Sequence, residues 1–256
     1  MSERTSYAPG TPSWVDLGTP DPAAAAAFYS ALFGWDIDEG PPEAGGYRMC
    51  MLRGKPVAGL GPQQSTGMPP WWTTYISVHS ADEAAAAAVA DGGSVLVAPM
   101  DVMDVGRMAV IADSCGAVFS VWQPGSHIGA GLVNEPGTWC WNELSTRHPV
   151  EHVGFYTAVF DWEAVRTEGP MPYTEFRLHG SSVAGMMEMG DDFPPDMPDS
   201  WTIYFAVEDC DASAAKVTQL GGIVIVPPTD IPPGRFAVCQ DPQGAVFQIM
   251  ALTEEM

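Results

Sequence analysis

Apolar and polar positions along the first half of the chain predict short strands interleaved with two helices. Residues Trp14–Thr19 alternate with the period of two that is typical of a strand. Residues Pro22–Phe33 follow a helical pattern, and Asp21 before them is a suitable N-cap. Glycine and proline residues separate the further predicted elements, which are strands at Trp35–Glu39, Tyr47–Arg53, Pro56–Gly61 and Thr73–Val78, a helix at Asp82–Asp91, and strands at Ser94–Ala98, Met108–Ala112 and Val118–Trp122.

The second half of the chain repeats the first, block by block. The repeated blocks are WVDL (Trp14) and WNEL (Trp141), FYSALFGW (Phe28) and FYTAVFDW (Phe155), WTTYISV (Trp72) and WTIYFAV (Trp201), and GRMAVIADSCGAVFSV (Gly106) and GRFAVCQDPQGAVFQI (Gly234). Because the order and the spacing of the blocks are kept, the chain is an internal duplication. We predict an α+β fold of four βαβββ modules, with domains at 1–127 and 140–256 and a linker at 128–139.

The charge of the chain is strongly one-sided. It has 32 Asp and Glu against 10 Lys and Arg, for a formal net charge of −22. This balance disfavours nucleic acids and anionic membrane surfaces as partners, because both are bound through clustered lysine and arginine. An acidic pocket would instead concentrate a cationic small molecule. The alternative is that the acidic residues serve only solubility.

The cysteines and the N-terminus indicate a protein of the cytoplasm. The five cysteines show no metal-binding spacing, and their odd number suits reduced thiols better than a disulfide framework: Cys50, Cys115, Cys140, Cys210 and Cys239. The first residues have no apolar segment of the kind found in signal peptides, and no run of 18 apolar residues occurs. We therefore expect neither membrane insertion nor disulfides.

The motifs resemble those of the vicinal oxygen chelate superfamily, which includes glyoxalase I, extradiol dioxygenases and bleomycin-resistance proteins. The resemblance rests on paired βαβββ units, on FYSALFGW at the end of the first helix, and on the DPQG turn at Asp241–Gly244. It covers nearly the whole chain and implies two cup-shaped sheets, each with a ligand pocket. The segment NEPGTWCWNEL from Asn134 is also similar to tandem-domain actinobacterial proteins labelled glyoxalase or hydroxylase, some of which belong to antibiotic biosynthesis.

The resemblance also implies four positions in each cup where His, Gln or Glu would hold a divalent metal. The corresponding residues are Trp14, Gly59, Thr73 and Ser120 in the first half, and Trp141, Gly185, Thr202 and Gln248 in the second. A transition metal requires several nitrogen, oxygen or sulfur donors at bonding distance. Since Gln248 alone is a possible ligand, we expect neither a metal nor another cofactor.

Without a metal, the cups are predicted to bind a ligand through aromatic and polar side chains. By analogy with the superfamily Trp14 and Trp141 face inward, and the period of two then directs Asp16 and Glu143 inward as well. These carboxylates could pair with a ligand amine or act as general bases. The other candidate lining residues are Met51, Thr73, Tyr75, Ser120, Trp122, Met187, Thr202, Tyr204 and Gln248. The alternative is that the tryptophans only fill the cups as core.

Two rarer residue types favour structural interpretations. Arg107 and Arg235 occupy equivalent positions, which favours bridges to the loops at Asp101 and Asp230 over contact with a ligand carbonyl. The five histidines are expected at surface or capping positions: His79, His127, His148, His152 and His179.

Two functions compete on this evidence. The first is a metal-free protein that binds a planar aromatic, cationic metabolite or antibiotic, for sequestration, for self-resistance or as an accessory to a tailoring oxygenase. The second is a glyoxalase-like lyase, or a cofactor-independent hydroxylase or cyclase, with a carboxylate base. We also expect unequal cups, because Glu143, Met187 and Gln248 make the second one narrower than the first.

Overall fold

The computed structural model describes residues 3–63, 69–169 and 172–253, and its elements follow the predicted order. The first half contains β1 Pro12–Thr19, α1 Pro22–Phe33, β2 Asp36–Ile37, a 3-10 turn Pro42–Ala44, β3 Arg48–Leu52, β4 Lys55–Pro62, β5 Trp71–Ser77, α2 Ala81–Ala90, β6 Ser94–Val102, β7 Gly106–Ala112 and β8 Val118–Pro124. The second half contains β9 Trp139–Thr146, α3 Pro149–Phe160, β10 Glu163–Thr167, β11 Tyr173–Leu178, β12 Ser181–Glu188, β13 Ser200–Ala206, α4 Cys210–Gln219, β14 Ile223–Ile231, β15 Gly234–Gln240 and β16 Val246–Leu252.

Helix α1 shows how the local sequence sets these boundaries. The Asp21 carboxylate accepts hydrogen bonds from the backbone N–H groups of Ala23 and Ala24 at 3.1 and 3.0 Å, which confirms the predicted N-cap. The helix ends at Gly34, whose φ of 75° lies in the left-handed region that glycine adopts without strain.

Each half of the chain forms one eight-stranded sheet, and the two sheets have the same strand order. The first runs β2-β3-β4-β1-β5-β8-β7-β6 and the second β10-β11-β12-β9-β13-β16-β15-β14. The two modules of a half meet where β1 pairs antiparallel with β5, and where β9 pairs antiparallel with β13. The predicted α+β architecture of four βαβββ modules is therefore confirmed.

Strand register separates the two faces of each sheet. In the first sheet Trp14 lies opposite Tyr75, and Asp16 lies opposite both Thr73 and Gly59. Residues directly opposite each other in a ladder share a face, so these side chains lie together on the cup face. Residues of the other face lie against the other half of the chain. For example, the ring centroids of Trp72 and Phe205 are 5.1 Å apart.

Two buried tyrosines join the halves. The Tyr29 hydroxyl of α1 donates to the Asp241 carboxylate of the second half at 3.1 Å and accepts from the Trp72 indole, also at 3.1 Å. In the equivalent place Tyr156 of α3 donates to Asp113 of the first half at 2.8 Å. The repeated FY and Asp-x-x-Gly motifs are thus partners across the interface.

The aspartates of these motifs also hold their own turns. One oxygen of Asp241 accepts from the backbone N–H groups of Gln243, Gly244 and Ala245 at 2.8–3.0 Å. Its other oxygen remains free for the Tyr29 hydroxyl. A single buried carboxylate therefore specifies both a tight turn and the docking of the other half.

The tryptophans that end the repeated helix motif complete this interlock. The Trp35 indole donates to the carbonyl of Gly137 at 2.7 Å, just before β9, and the Trp162 indole donates to the carbonyl of Gly10 at 2.7 Å, just before β1. Each half therefore fixes the entry of the chain into the first strand of the other half.

Arg107 and Arg235, which occupy the same position in the two halves, have a structural role. Arg107 pairs with Asp82 at 2.7 Å and Asp101 at 2.9 Å. Arg235 pairs with Asp211 at 2.6 Å and Asp230 at 2.9 Å. The predicted bridge to the Asp101 and Asp230 loops is confirmed, and each bridge also reaches the first turn of the neighbouring helix.

Two further observations concern the cysteines and the helices. All five cysteines are free. None of the helices in the described ranges is both long enough and apolar enough to cross a membrane.

We predict that Tyr29→Phe lowers the free energy of unfolding by roughly 1.5–3 kcal/mol, because it removes a hydrogen bond to a buried carboxylate and leaves the Trp72 N–H without an acceptor. Denaturant titration measures the loss. Tyr7→Phe is the matched control, since the Tyr7 hydroxyl donates to the neutral carbonyl of Ala130 and should cost about 1 kcal/mol. Equal losses in the two variants would contradict the assigned role of the interdomain bond.

Candidate functional site

A carboxylate held by two phenols lies on the floor of the first cup. Oδ2 of Asp16 accepts hydrogen bonds from the hydroxyls of Tyr75 at 2.9 Å and Tyr47 at 3.2 Å. The Trp14 indole donates to the Tyr47 hydroxyl at 2.9 Å, which directs the tyrosine proton toward Asp16. The arrangement fixes the position of the carboxylate without supplying a positive charge.

The second cup repeats this arrangement with a glutamate. Oε1 of Glu143 accepts from the Tyr204 hydroxyl at 2.7 Å, and Tyr173 is its second hydrogen-bonding partner. The Trp141 indole donates to the Tyr173 hydroxyl at 3.0 Å. The duplication has therefore kept a Trp–Tyr–carboxylate–Tyr network in both halves, although the carboxylate side chain differs in length.

Both carboxylates are electrostatically uncompensated. Burial raises the pKa of Asp16 to about 6 and raises the pKa of Glu143, while the tyrosine hydrogen bonds oppose the shift in each case. In residues 3–63, 69–169 and 172–253, no ion pair includes either carboxylate. A buried carboxylate without a cation is typical of binding and catalytic sites, where a ligand completes the interaction.

Tyr47 and Tyr173 were not among the predicted lining residues, although the sequence contains a signal for them. A Cβ atom at Gly59 would overlap the Tyr47 hydroxyl, and a Cβ atom at Gly185 would overlap the Tyr173 hydroxyl. Each glycine therefore makes room for a phenol, since Tyr47 directly precedes β3 and Tyr173 begins β11, the strands that pair with β4 and β12. The tyrosine and the glycine recur in both halves with the same spacing between them, and this repetition of the pair is the signal.

The structure divides the predicted lining residues into a buried group and a half-buried group. The buried group is Trp14, Tyr75, Ser120, Trp122, Glu143, Tyr204 and Gln248, and the half-buried group is Asp16, Met51, Thr73, Trp141, Met187 and Thr202. Trp14, Tyr75 and Trp122 belong to a continuous hydrophobic cluster. These three aromatic side chains of the cup face are therefore part of the core.

A histidine from the segment after β8 lies against the tryptophans of the first cup. The His127 ring lies edge-on to Trp14 with a centroid separation of 4.6 Å, and the Trp122 indole donates to the His127 carbonyl at 2.8 Å. Its Nε2 is buried and has no hydrogen-bond partner among the described residues, and burial lowers the pKa of the imidazole. His127 is therefore half-buried against Trp14 rather than on the surface.

The four family metal positions of each cup do not supply the donors that a divalent metal requires. The four family metal positions provide an indole, a glycine and two hydroxyls in the first cup, namely Trp14, Gly59, Thr73 and Ser120. In the second cup Gln248 is the sole carbonyl donor among the four, and its Nε2 donates to the Thr202 hydroxyl at 3.0 Å. These residues do not fit a transition-metal site, and no chemical step in the cups is assigned to one.

We predict that Asp16→Asn increases the free energy of unfolding at pH 8 by roughly 1–2 kcal/mol, after allowance for solvent screening of a half-buried group. The folded pKa of about 6 lies above the ordinary value of 3.8, so ionised Asp16 opposes folding above pH 6. This penalty, and with it the difference between the proteins, should disappear as the pH falls toward 4. Denaturant titrations at several pH values measure it.

Asp38→Asn is the matched control, because it removes one negative charge from an exposed position outside the cups. A stability difference for Asp16→Asn that is independent of pH, or equal to that of Asp38→Asn, would contradict the assigned burial of an uncompensated charge.

Curated relatives resemble the chain over its whole length. CFP32 of Mycobacterium tuberculosis, which is named as a glyoxylase, is 44% identical over 98% of both chains. DauV of Streptomyces sp. strain C5, which is named as an anthracycline biosynthesis protein, is 39% identical over 98% of this chain and 96% of its own.

Solved structures with the same fold are more distant in sequence. The Mn(II)-bound glyoxalase of Novosphingobium aromaticivorans aligns with a TM-score of 0.66 at 16% identity, over 98% of this chain and 83% of its own. The 2,2',3-trihydroxybiphenyl 1,2-dioxygenase of Sphingomonas wittichii aligns with a TM-score of 0.65 at 13% identity, over 95% of this chain and 91% of its own. At these identities the likeness concerns the fold alone.

The family model of the glyoxalase-like domain matches residues 14–122 and again residues 141–250. These two matches coincide with the two eight-stranded sheets and include both carboxylate networks. The chain therefore belongs to the glyoxalase-like domain family of the vicinal oxygen chelate superfamily and carries two copies of the domain.

Proposed function

We propose that the chain binds a planar aromatic, cationic small molecule in its cups without a metal there. The observation that carries this proposal is the uncompensated carboxylate of Asp16, and equally of Glu143, on the floor of an aromatic cup. A ligand ammonium group would supply the missing positive charge. The tyrosine hydroxyls already hold each carboxylate in place, so little ordering would be needed on binding.

The walls of the cups favour an aromatic ligand over an aliphatic amine. Each cup combines a tryptophan and a tyrosine whose rings could contact a flat ring system, and each such contact is worth about 1 kcal/mol beyond area burial. The half-buried methionines Met51 and Met187 are adaptable apolar contacts for ligands of varied outline. The net charge of −22 attracts a cation from a distance, although salt screens this contribution.

The named relatives support this ligand class. DauV and this chain share 39% identity over almost their entire lengths, and the name of DauV refers to anthracyclines, which contain planar fused rings. On this proposal the protein sequesters such a compound, confers self-resistance, or presents it to a tailoring oxygenase in antibiotic biosynthesis.

An enzymatic alternative has its own supporting observation. A pKa of about 6 leaves Asp16 ionised at neutral pH and strong enough to accept a proton, which suits a general base. CFP32, with 44% identity, is named as a glyoxylase. The alternative is therefore a glyoxalase-like lyase, or a cofactor-independent hydroxylase or cyclase, that uses Asp16 or Glu143 as its base.

We predict that a cationic aminoanthraquinone quenches the tryptophan fluorescence of the protein, and that Asp16→Asn or Glu143→Gln weakens its binding about tenfold at the affected cup. Asp38→Asn and Glu208→Gln are matched controls that change charge at exposed positions and should leave the affinity unchanged. Affinity in the first cup should fall as the pH drops below about 6, because protonation neutralises Asp16. An uncharged anthraquinone of the same outline should bind more weakly.

Two outcomes would separate the alternatives. Equal affinity for the cationic and uncharged probes, unchanged in both cup variants, would contradict the carboxylate–cation proposal. Turnover of a methylglyoxal–thiol adduct that survives a chelator but is lost in Asp16→Asn or Glu143→Gln would establish the enzymatic alternative.

A further inference from the structure

A second cluster of reactive side chains lies outside both cups, where the two halves meet. Cys115 belongs to the Asp-x-x-Gly turn of the first half, whereas His148 and Asp199 belong to the second half. Their sulfur, imidazole nitrogen and carboxylate oxygen all lie within 4.8 Å of one another. Across the described residues, this is the one group of three or more His, Cys, Asp or Glu donors close enough to hold a metal ion.

The duplication contains a second, equivalent junction, which is held together by hydrogen bonds. At the equivalent junction Gln243 replaces Cys115, and its side chain accepts from the Thr19 hydroxyl at 2.7 Å and from the Asp21 N–H at 2.9 Å. The same amide donates to the Asp21 carbonyl at 3.0 Å. Those hydrogen bonds join the halves directly, whereas the thiol of Cys115 cannot replace them. His148 takes the place of Asp21 at the start of the helix.

The Asp199 carboxylate is positioned by several donors. Oδ1 accepts from the Arg147 N–H at 3.0 Å, and Oδ2 accepts from the Thr146 hydroxyl at 2.7 Å. The same Oδ2 lies 2.8 Å from Nδ1 of His148 and 2.9 Å from Nε2 of His152. Three partners on one oxygen exceed its two lone pairs. The exposed His148 is the partner that can turn from the carboxylate to a bound cation.

His152 connects this carboxylate to the interdomain contact already described. Its side chain is completely buried, with Nδ1 2.9 Å from the Asp113 carboxylate and Nε2 2.9 Å from Asp199. The expectation of a surface or capping position is wrong for His152. A histidine between two carboxylates fixes the orientation of Asp199, as outer partners do in metal sites.

The surroundings of Cys115 favour a cation, since the Asp199 carboxylate lies within 4.8 Å of the thiol sulfur. The neighbouring Arg147 guanidinium does not neutralise the cluster, since it donates to the backbone carbonyls of Phe193 and Pro194 at 3.3 and 2.9 Å.

We propose that Cys115, His148 and Asp199 bind a zinc-class divalent transition metal across the junction of the two halves, with His152 as a positioning residue. The mixed sulfur, nitrogen and oxygen donors suit zinc or cobalt and disfavour calcium and magnesium. Donors around tetrahedral zinc are about 3–4 Å apart, so small side-chain rotations complete the site. The ion would replace the hydrogen bonds that Gln243 makes at the other junction. The sequence-based expectation of no metal rested on the cups, which this site does not include.

The test is a titration of the full chain with Co²⁺ alone, followed by absorption spectroscopy. We expect one equivalent to bind with a sulfur-to-cobalt charge-transfer band and the visible bands of four-coordinate cobalt, and Zn²⁺ to displace it. Cys115→Ser should lose the charge-transfer band, and His148→Ala should weaken binding about tenfold or more. Cys140→Ser and His79→Ala are controls outside the cluster and should bind as the parent protein does.

A stability measurement keeps the proposal testable if a variant folds poorly. Zn²⁺ should raise the thermal unfolding midpoint of the parent protein, because an ion that binds only the folded chain stabilises it. Cys115→Gln installs the residue that the other junction uses, so it should fold but lose the response to Zn²⁺. Absence of a cobalt band at one equivalent, or a charge-transfer band that persists in Cys115→Ser, would overturn the proposal.

Discussion

The hydrogen bonds from buried tyrosines to aspartates of the other half organise the whole molecule. Tyr29 to Asp241 and Tyr156 to Asp113 place each first helix against the opposite sheet. The faces of the sheets away from the cups are therefore covered by the partner half, and the cups are directed away from the interface. Neither half would have a complete core without the other, because Phe205 and Phe247 of the second half contact Phe33 of the first.

The buried carboxylates of the cups lower the stability of the folded protein but leave a negative charge available to a ligand. Burial of Asp16 or Glu143 without a cation opposes folding, and the two phenols at each carboxylate offset only part of that cost. The arrangement occurs twice, with an aspartate in one half and a glutamate in the other, so the network itself is the feature that the two halves share. A ligand cation is the one component that this environment lacks.

Patterning alone predicted the elements well, since α1 begins and ends where the capping residues indicated. The placement of Asp16 and Glu143 on the cup faces needed more than the pattern: the resemblance to the superfamily directed Trp14 and Trp141 inward, and the period of two then directed the carboxylates inward as well. The pattern did not predict the role of Tyr47 and Tyr173, because each hydroxyl reaches its carboxylate across an intervening strand, β4 or β12. Gly59 and Gly185 were interpreted only as missing metal ligands, whereas each makes room for a tyrosine ring. His152 could not be predicted, since both of its partners become neighbours only when the halves dock.

The duplication also shows how one copy can acquire chemistry that the other lacks. Both junctions use the same turn and the same helix start, yet one is joined by an amide and the other contains a thiol, two imidazoles and a carboxylate. The cups differ in a similar way, because His127, which follows β8, lies against Trp14 in the first cup. Equivalent backbones therefore carry different side chains at the two junctions and in the two cups.

On the proposed function, the carboxylates of the cups gain a compensating charge only when a cation binds. Carbon-13 NMR of the Asp and Glu carboxyl groups as a function of pH measures their pKa values directly. We expect that Asp16 titrates near pH 6, that Glu143 titrates above its ordinary value, and that a bound cationic aromatic lowers the pKa of the carboxyl beside it. Ordinary pKa values for both groups, unchanged by the probe, would show that neither carboxylate is a buried, uncompensated charge.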